Sequence, residues 1–163
     1  MSSIKVEKSA GDEATQNLLD IQAIRSLLDR YAFAMDRKDP ELMRTCFTED
    51  ADLSYYGGLK RFNRDSFADQ LLSGLEPFRT INHSVSSIQI VVEGDTAHGD
   101  MHIFATMMLK ATPSVIVRGV HVVDEYERTA DGWKVSNRRH APFLQYEMPT
   151  TLIDFPGVGG INE

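Results

Sequence analysis

A single cysteine, Cys46, rules out an internal disulfide in this chain of 163 residues, and nothing around it reads as a nucleophile signature. Such sparing use suits a reducing compartment. Long apolar runs are missing too. None approaches the roughly 18 residues that a membrane span needs. The opening MSSIKVEKSAGDEATQN lacks the apolar segment of a secretory signal. A cytoplasmic protein without a membrane partner is expected. Positive charge is in deficit: 17 Lys and Arg against 24 Asp and Glu leave a net charge of −7. The cations are scattered, with Arg138–Arg139 the densest pair, which argues against a nucleic-acid partner. The Gly57-Gly58, Gly157 and Gly159-Gly160 positions lack the strand–turn–helix setting of a phosphate loop, and no Gly-x-Ser-x-Gly element occurs. His98 and His102 lie on a strand face, not a helix face, and no Cys or carboxylate completes a metal set. Neither metal nor cofactor is expected.

What the chain does have is a clear helix, Asp20 to Asp39. Ile21, Ile24, Leu28, Tyr31 and Met35 recur at spacings of three and four and form one apolar stripe. Asp36 lies at the edge of that stripe, in the last turn, where the helix dipole disfavours a carboxylate. Arg37 and Lys38 obey the dipole rule and Asp36 breaks it. A local rule broken without local compensation marks a candidate functional residue.

Residues 1–16 read as a polar leader, 17–142 as one domain and 143–163 as a tail. After the first helix, Asp39-Pro40 restarts the chain as a short second helix to about Cys46. A strand is predicted over Ala51–Tyr56, a turn at Gly57-Gly58 and a short return strand over Leu59–Phe62. Asn63 or Asp65 caps a third helix. From Thr80 the period becomes alternating: Ile88, Ile90 and Val92 share one face, and His83, Val85, Ser87 and Gln89 the other. Strands follow over Thr96–Lys110, Val115–Arg128 and Trp133 to about His140. Helices first and consecutive strands after predict an α+β domain with an antiparallel sheet. The tail, with Phe143, Leu144, Tyr146, Leu152, Ile153 and Phe155, is too apolar to dangle in water. It is expected to cover a pocket mouth or a neighbouring subunit.

His83 opens a strand and is the best general base available, since imidazole titrates near neutrality. Tyr31 sits within the apolar stripe, so its hydroxyl needs a buried partner. Tyr55 and Tyr56 are adjacent on one strand and are predicted to point to opposite faces. The remaining histidines, His98, His102, His121 and His140, read as surface or strand-packing residues.

Three segments carry a resemblance. They are the helix bearing Ile24, Leu27, Leu28, Tyr31 and Asp36 with the following Lys38-Asp39-Pro40-Glu41-Leu42; Phe47-Thr48-Glu49-Asp50-Ala51-Asp52-Leu53; and Asp124-Glu125-Tyr126-Glu127-Arg128 with Asp131-Gly132-Trp133-Lys134-Val135. Together they resemble the SnoaL-like, or nuclear-transport-factor-2-like, superfamily. The nearest likeness is to its small lyases: scytalone dehydratase, bile-acid 7α-dehydratase and hexachlorocyclohexane dehydrochlorinase. The resemblance implies a cone-shaped, curved antiparallel sheet packed with three N-terminal helices. It implies that Asp36 and His83 form a catalytic dyad assisted by Tyr31 and Tyr55. At positions where relatives carry polar groups this chain has Met107, Val120 and Val122, which with Phe143 imply an apolar substrate-binding lining. The implied activity is cofactor-independent elimination, such as dehydration, on a hydrophobic aromatic, polyketide or steroid-like molecule. Isomerisation or cyclisation on the same dyad, and a non-catalytic binding or assembly module, stay open. A homo-oligomer, trimer or dimer, is also implied.

Overall fold

The computed structural model describes residues 10–150, and the ends of the expected leader and tail, with Leu152, Ile153 and Phe155, lie outside these residues. The first helix, α1, spans Ala10–Arg37 and so begins within the stretch read as leader. Asp12 and Glu13 in its first turn suit the positive end of the helix dipole. Its inward face buries Ile24, Leu27, Leu28, Tyr31 and Ala34. The helix ends in a double closure: Lys38 N donates to Met35 O at 3.2 Å and Asp39 N to Ala34 O at 2.9 Å. Lys38 adopts φ 55° there, a left-handed position usually filled by glycine. Its ammonium donates to Phe78 O at 2.8 Å and ties the helix end to the sheet.

Asp39 then caps α2 (Pro40–Arg44), accepting from Leu42 N at 2.9 Å. Strand β1 (Phe47–Tyr55) pairs with the short β2 (Lys60–Phe62). Helix α3 (Arg64–Leu75) opens on a capping box in which Asn63 and Ser66 each bond the other's backbone N–H. Four long strands come next: β3 (Phe78–Glu93), β4 (Thr96–Leu109), β5 (Ser114–Thr129) and β6 (Gly132–Pro149). The six strands form one curled, unclosed sheet in the order β2-β1-β6-β5-β4-β3. The architecture is the expected α+β arrangement with helices on the concave face. One expectation needs correcting: β1 pairs with β6 in parallel, so the sheet is not wholly antiparallel. Consecutive-hairpin logic cannot see a pairing between the first and last strands. Residues 143–149, assigned to the tail, continue β6 and pair with β5 as far as Pro149 opposite Ser114.

Inward and outward positions alternate cleanly in β4, where Ala97, Gly99, Met101, Ile103, Ala105 and Met107 are buried. In β3 they do not. Ser87 and Ile88, between the Ser86–His102 and Gln89–Asp100 pairs, oppose Met101 alone, so the strand carries one extra residue, with Ser87 at φ 52°. The bulge reverses the parity. His83 and Val85 therefore face the core together with Ile88, Ile90 and Val92, not away from them.

The hairpin end of the sheet is closed by a polar knot. Arg128 donates to both Asp20 carboxylate oxygens at 2.7 and 2.8 Å, and Trp133 Nε1 donates to the same carboxylate at 3.1 Å. Hydrogen bonding from Arg128 holds the buried Asp20 carboxyl down at about 2. The opposite end holds a cavity.

Candidate active site

The cavity encloses about 250 Å³ between α1, α3, β1–β2 and the inward faces of β3 to β6. Most of its lining is apolar, including Met35, Phe67, Ile103, Met107 and Val120. Asp36 and His83 come together at its edge. Asp36 Oδ1 lies 2.7 Å from His83 Nδ1, and Oδ2 accepts from the His83 backbone N–H at 3.1 Å. One carboxylate therefore fixes both the backbone and the ring of His83. The His83 side chain is only 8% exposed and Asp36 19%, so water competes weakly for these bonds. A carboxylate facing Nδ1 places the proton on that nitrogen. It leaves Nε2 as the basic ring atom of a residue that lines the cavity. The misplaced charge at the helix end is thereby explained: its partner lies 47 residues away on β3.

Tyr31 and Tyr55 also meet. Their hydroxyls are 3.2 Å apart, both side chains are buried, and both line the cavity. Burial pushes the Tyr31 phenol up, against the pull of the nearby Arg138 charge. Burial raises Tyr55 well above the ordinary phenol range, with Tyr31 adding to the rise. Both therefore stay protonated. Within the pair only one proton is shared, so the accepting hydroxyl keeps its own proton for another oxygen.

Beneath them lies a buried cation that sequence reasoning passed over. Arg138 is 0% exposed, bonds Asp124 through Nε at 2.8 Å and Nη2 at 2.6 Å, and stands 4.1 Å from the Tyr31 ring centroid. Its Nη1 has no hydrogen-bond partner among the described residues. His140 was missed as well. It lines the cavity, stacks on Tyr55 at 4.4 Å, and is held down to about 4 by burial and then by Arg138. It is neutral near pH 7. A bulge hid both residues. Glu125 and Tyr126 oppose Asn137 and Val135, so Ser136 is extra and the inward set switches from Trp133 and Val135 to Arg138 and His140. The available signal was Asp124, whose inward position on β5 requires a cationic partner.

The remaining expectations divide. Met107 and Val120 line the cavity. Val122 does not: it is fully buried, one inward position further from the mouth, opposite Met101 and His140. Phe143 is also not part of the lining. It is the extra residue of a third bulge, between Gly119 and Val120, and its 55%-exposed ring lies over His102 and Phe104 on the convex face. Tyr55 and Tyr56 do not diverge. Tyr56 leaves the strand with φ 56° and turns back to line the same cavity. Of the other histidines, His98 and His121 bond Glu125 and Asp100 at 2.9 Å each, outside the cavity. Cys46 is buried and burial raises its thiol to about 11, which removes it as a nucleophile. Among the described residues no group of His, Cys, Asp or Glu is arranged to hold a metal, and no helix is long and apolar enough to cross a membrane.

This α+β cone with an Asp–His pair at its cavity defines a class. Residues 16–139 match the SnoaL-like domain family, and the chain belongs to that family. The chain is 30% identical over 129 residues to the uncharacterized protein Rv2910c of Mycobacterium tuberculosis, covering 77% of this chain and 86% of the relative. Among solved structures it is similar to a Novosphingobium aromaticivorans protein proposed to be a scytalone dehydratase. The TM-score is 0.75 at 20% identity, over 90% of this chain and 98% of that one. It is also similar to the LinA-type3 hexachlorocyclohexane dehydrochlorinase of Novosphingobium barchaimii. There the TM-score is 0.72 at 17% identity, over 85% and 97%. At these identities the structural likenesses establish the fold.

Proposed function

We propose that the protein is a cofactor-independent lyase acting on a hydrophobic small molecule, with Asp36 and His83 as its working pair. The observation that carries this reading is the pair of hydrogen bonds by which one carboxylate holds both the ring and the backbone of His83. That arrangement orients a base and stabilises the imidazolium formed when it takes a proton. His83 Nε2 removes a proton from the substrate. The free proton of the Tyr31–Tyr55 pair goes to the departing oxygen, and the electrons of the broken C–H bond form the new double bond. His83 then returns its proton to the tyrosine pair, so the net loss from an alcohol is one water. Arg138, under the Tyr31 ring, favours any negative charge that builds on the phenols. The dehydratase and dehydrochlorinase names of the fold's neighbours accord with elimination.

A panel of hydrophobic hydroxylated aromatics and polyketides, assayed by mass spectrometry, tests the reading. Loss of 18 mass units, abolished by His83→Ala and retained in a Cys46→Ala control, is the expected result. A product of unchanged mass assigns the dyad to isomerisation or cyclisation, and turnover that survives both His83→Ala and Asp36→Asn removes the enzyme reading. The exposed Phe143, Leu144, Tyr146 and Met148 of β6 further support self-association. A monomer mass in sedimentation at micromolar concentration would count against it.

A further inference from the structure

The charged side chains of the cavity lining are one-sided, with the Asp36 carboxylate at its edge taken up by His83. Its lining includes Lys60 and Arg118 but no Asp or Glu, in a chain whose net charge is −7. Both cations converge on one ring. Lys60 Nζ lies 5.9 Å and the Arg118 guanidinium 5.8 Å from the Tyr56 centroid. Neither forms an ion pair with a carboxylate among the described residues. Arg118 uses Nε on the neutral Gln145 Oε1, at 2.8 Å. Two like charges gathered at the mouth of an apolar cavity repel each other, and an anion between them relieves the repulsion.

The backbone is committed to this arrangement. Tyr56 occupies a left-handed conformation that a bulky residue rarely adopts, and such strain persists only where the surroundings enforce it. Here the enforcement comes from the β1–β2 turn, in which Tyr56 and Gly57 are both left-handed and Gly58 N donates to Tyr55 O at 3.1 Å, with Gly57 N also donating to His140 O at 3.1 Å. An extended Tyr56 would point away from the cavity, and the common anchor of Lys60 and Arg118 would be lost. Arg118 faces inward on β5 opposite Ala105, and Ala105 is also the β4 neighbour of His83. Arg118 and the base thus lie along one row of the sheet, and Lys60 reaches the same Tyr56 ring from β2.

We infer that the cavity takes a substrate whose apolar body carries an anionic group, held at the mouth by Arg118 and Lys60 beside Tyr56. The inference rests on the reading of the cavity as the substrate site. The anion is a carboxylate on the substrate itself, or a phosphate on a carrier esterified to it.

Calorimetric titration with matched probes tests this: aryl carboxylates, their primary amides, and the phosphopantetheine thioesters of the same acids. The expected preference for an anionic probe over its amide is about tenfold or more, the size of one charge-assisted hydrogen bond. Arg118→Gln and Lys60→Gln each remove most of that preference, while Arg118→Lys and Lys60→Arg restore part of it. Free acids binding tighter than amides identify a carboxylate; thioesters alone doing so identify a carrier phosphate. Equal affinity for charged and neutral members, or a preference that both glutamine variants leave intact, overturns the inference. Binding is read independently of turnover. Failure of the dyad shows in His83→Ala kinetics, and failure of the anion site shows only in these affinities.

Discussion

Replacing Asp36 with Asn should change which nitrogen of His83 carries the proton. Two donors face the carboxylate, the His83 backbone N–H at 3.1 Å and the ring Nδ1 at 2.7 Å. The backbone N–H can only donate, so it claims the single oxygen of an Asn amide. The NH2 group then faces Nδ1 and forces that atom to accept, which moves the ring proton to Nε2. With Asp, a hydrogen bond to a charged acceptor contributes about 1.5–3 kcal/mol, a preference of roughly 10- to 150-fold for the Nδ1–H form. With Asn the preference reverses and the basic nitrogen no longer faces the cavity. Turnover should fall by about three to four orders of magnitude, as when a comparable orienting carboxylate is neutralised elsewhere. Long-range proton–nitrogen correlation spectra of the imidazoles read the tautomer directly, with His83 assigned by its absence in His83→Ala. The backbone bond survives, so the unfolding midpoint should move little. The reasoning fails if Nδ1 stays protonated in Asp36→Asn, or if the tautomer reverses while turnover is unaffected.

The Asp20 carboxyl is held near 2 in the folded chain against an ordinary value of 3.8, so its stabilisation is fully present above pH 4 and lost as pH falls through about 2. The loss amounts to about 2 kcal/mol, and urea unfolding between pH 5 and 2 should show it in the native protein but not in Asp20→Asn. Gly99→Ala should destabilise by about 1–3 kcal/mol, because a Cβ there meets the fully buried Tyr126 ring at 2.8 Å. Gly119→Ala should cost less. Its nearest contact, 2.9 Å, is the end of the exposed Phe143 ring, which can move, and parallel denaturation curves check the difference. Lys38→Ala should be about 1 kcal/mol less stable than Lys38→Gly, because both lose the bond to Phe78 O but only alanine is strained at φ 55°. Equal stabilities would show that the left-handed turn relaxes.

The order of elements was legible because each boundary carries its own local chemistry. Asp39-Pro40 caps a helix, Asn63 with Ser66 closes a box, and Gly94 and Gly132 take left-handed turns. Asp36 was legible for the opposite reason, as a charge placed against its own helix dipole. The errors of sidedness within the long strands share one cause. Alternation assigns sides only while every residue is paired, and an unpaired residue stands in β3 near Ser87 and in β6 at Ser136 and Phe143. Each switches the sides of the residues beyond it or its own: Ile88, Ile90 and Val92 joined the face of His83, Arg138 and His140 turned inward, and Phe143 turned outward. Tyr56 escaped for a related reason, a single left-handed residue at a strand end. The β1–β6 pairing was invisible because nothing local records a contact between strands so far apart in the chain.

The bulge at Ser87 also divides labour along one strand. Phe78 and His83, on one side of it, border the cavity, whereas Ile88, Ile90 and Val92 on its other side pack into the core. Because the extra residue sets the relative sidedness of the two halves, the first can accept new side chains for a new ligand without re-registering the second. Deleting Ser87 would couple them again: restoring regular pairing turns either His83 or the three aliphatic side chains outward. A one-residue insertion therefore lets the cavity lining of this strand change while the half that packs the core stays fixed.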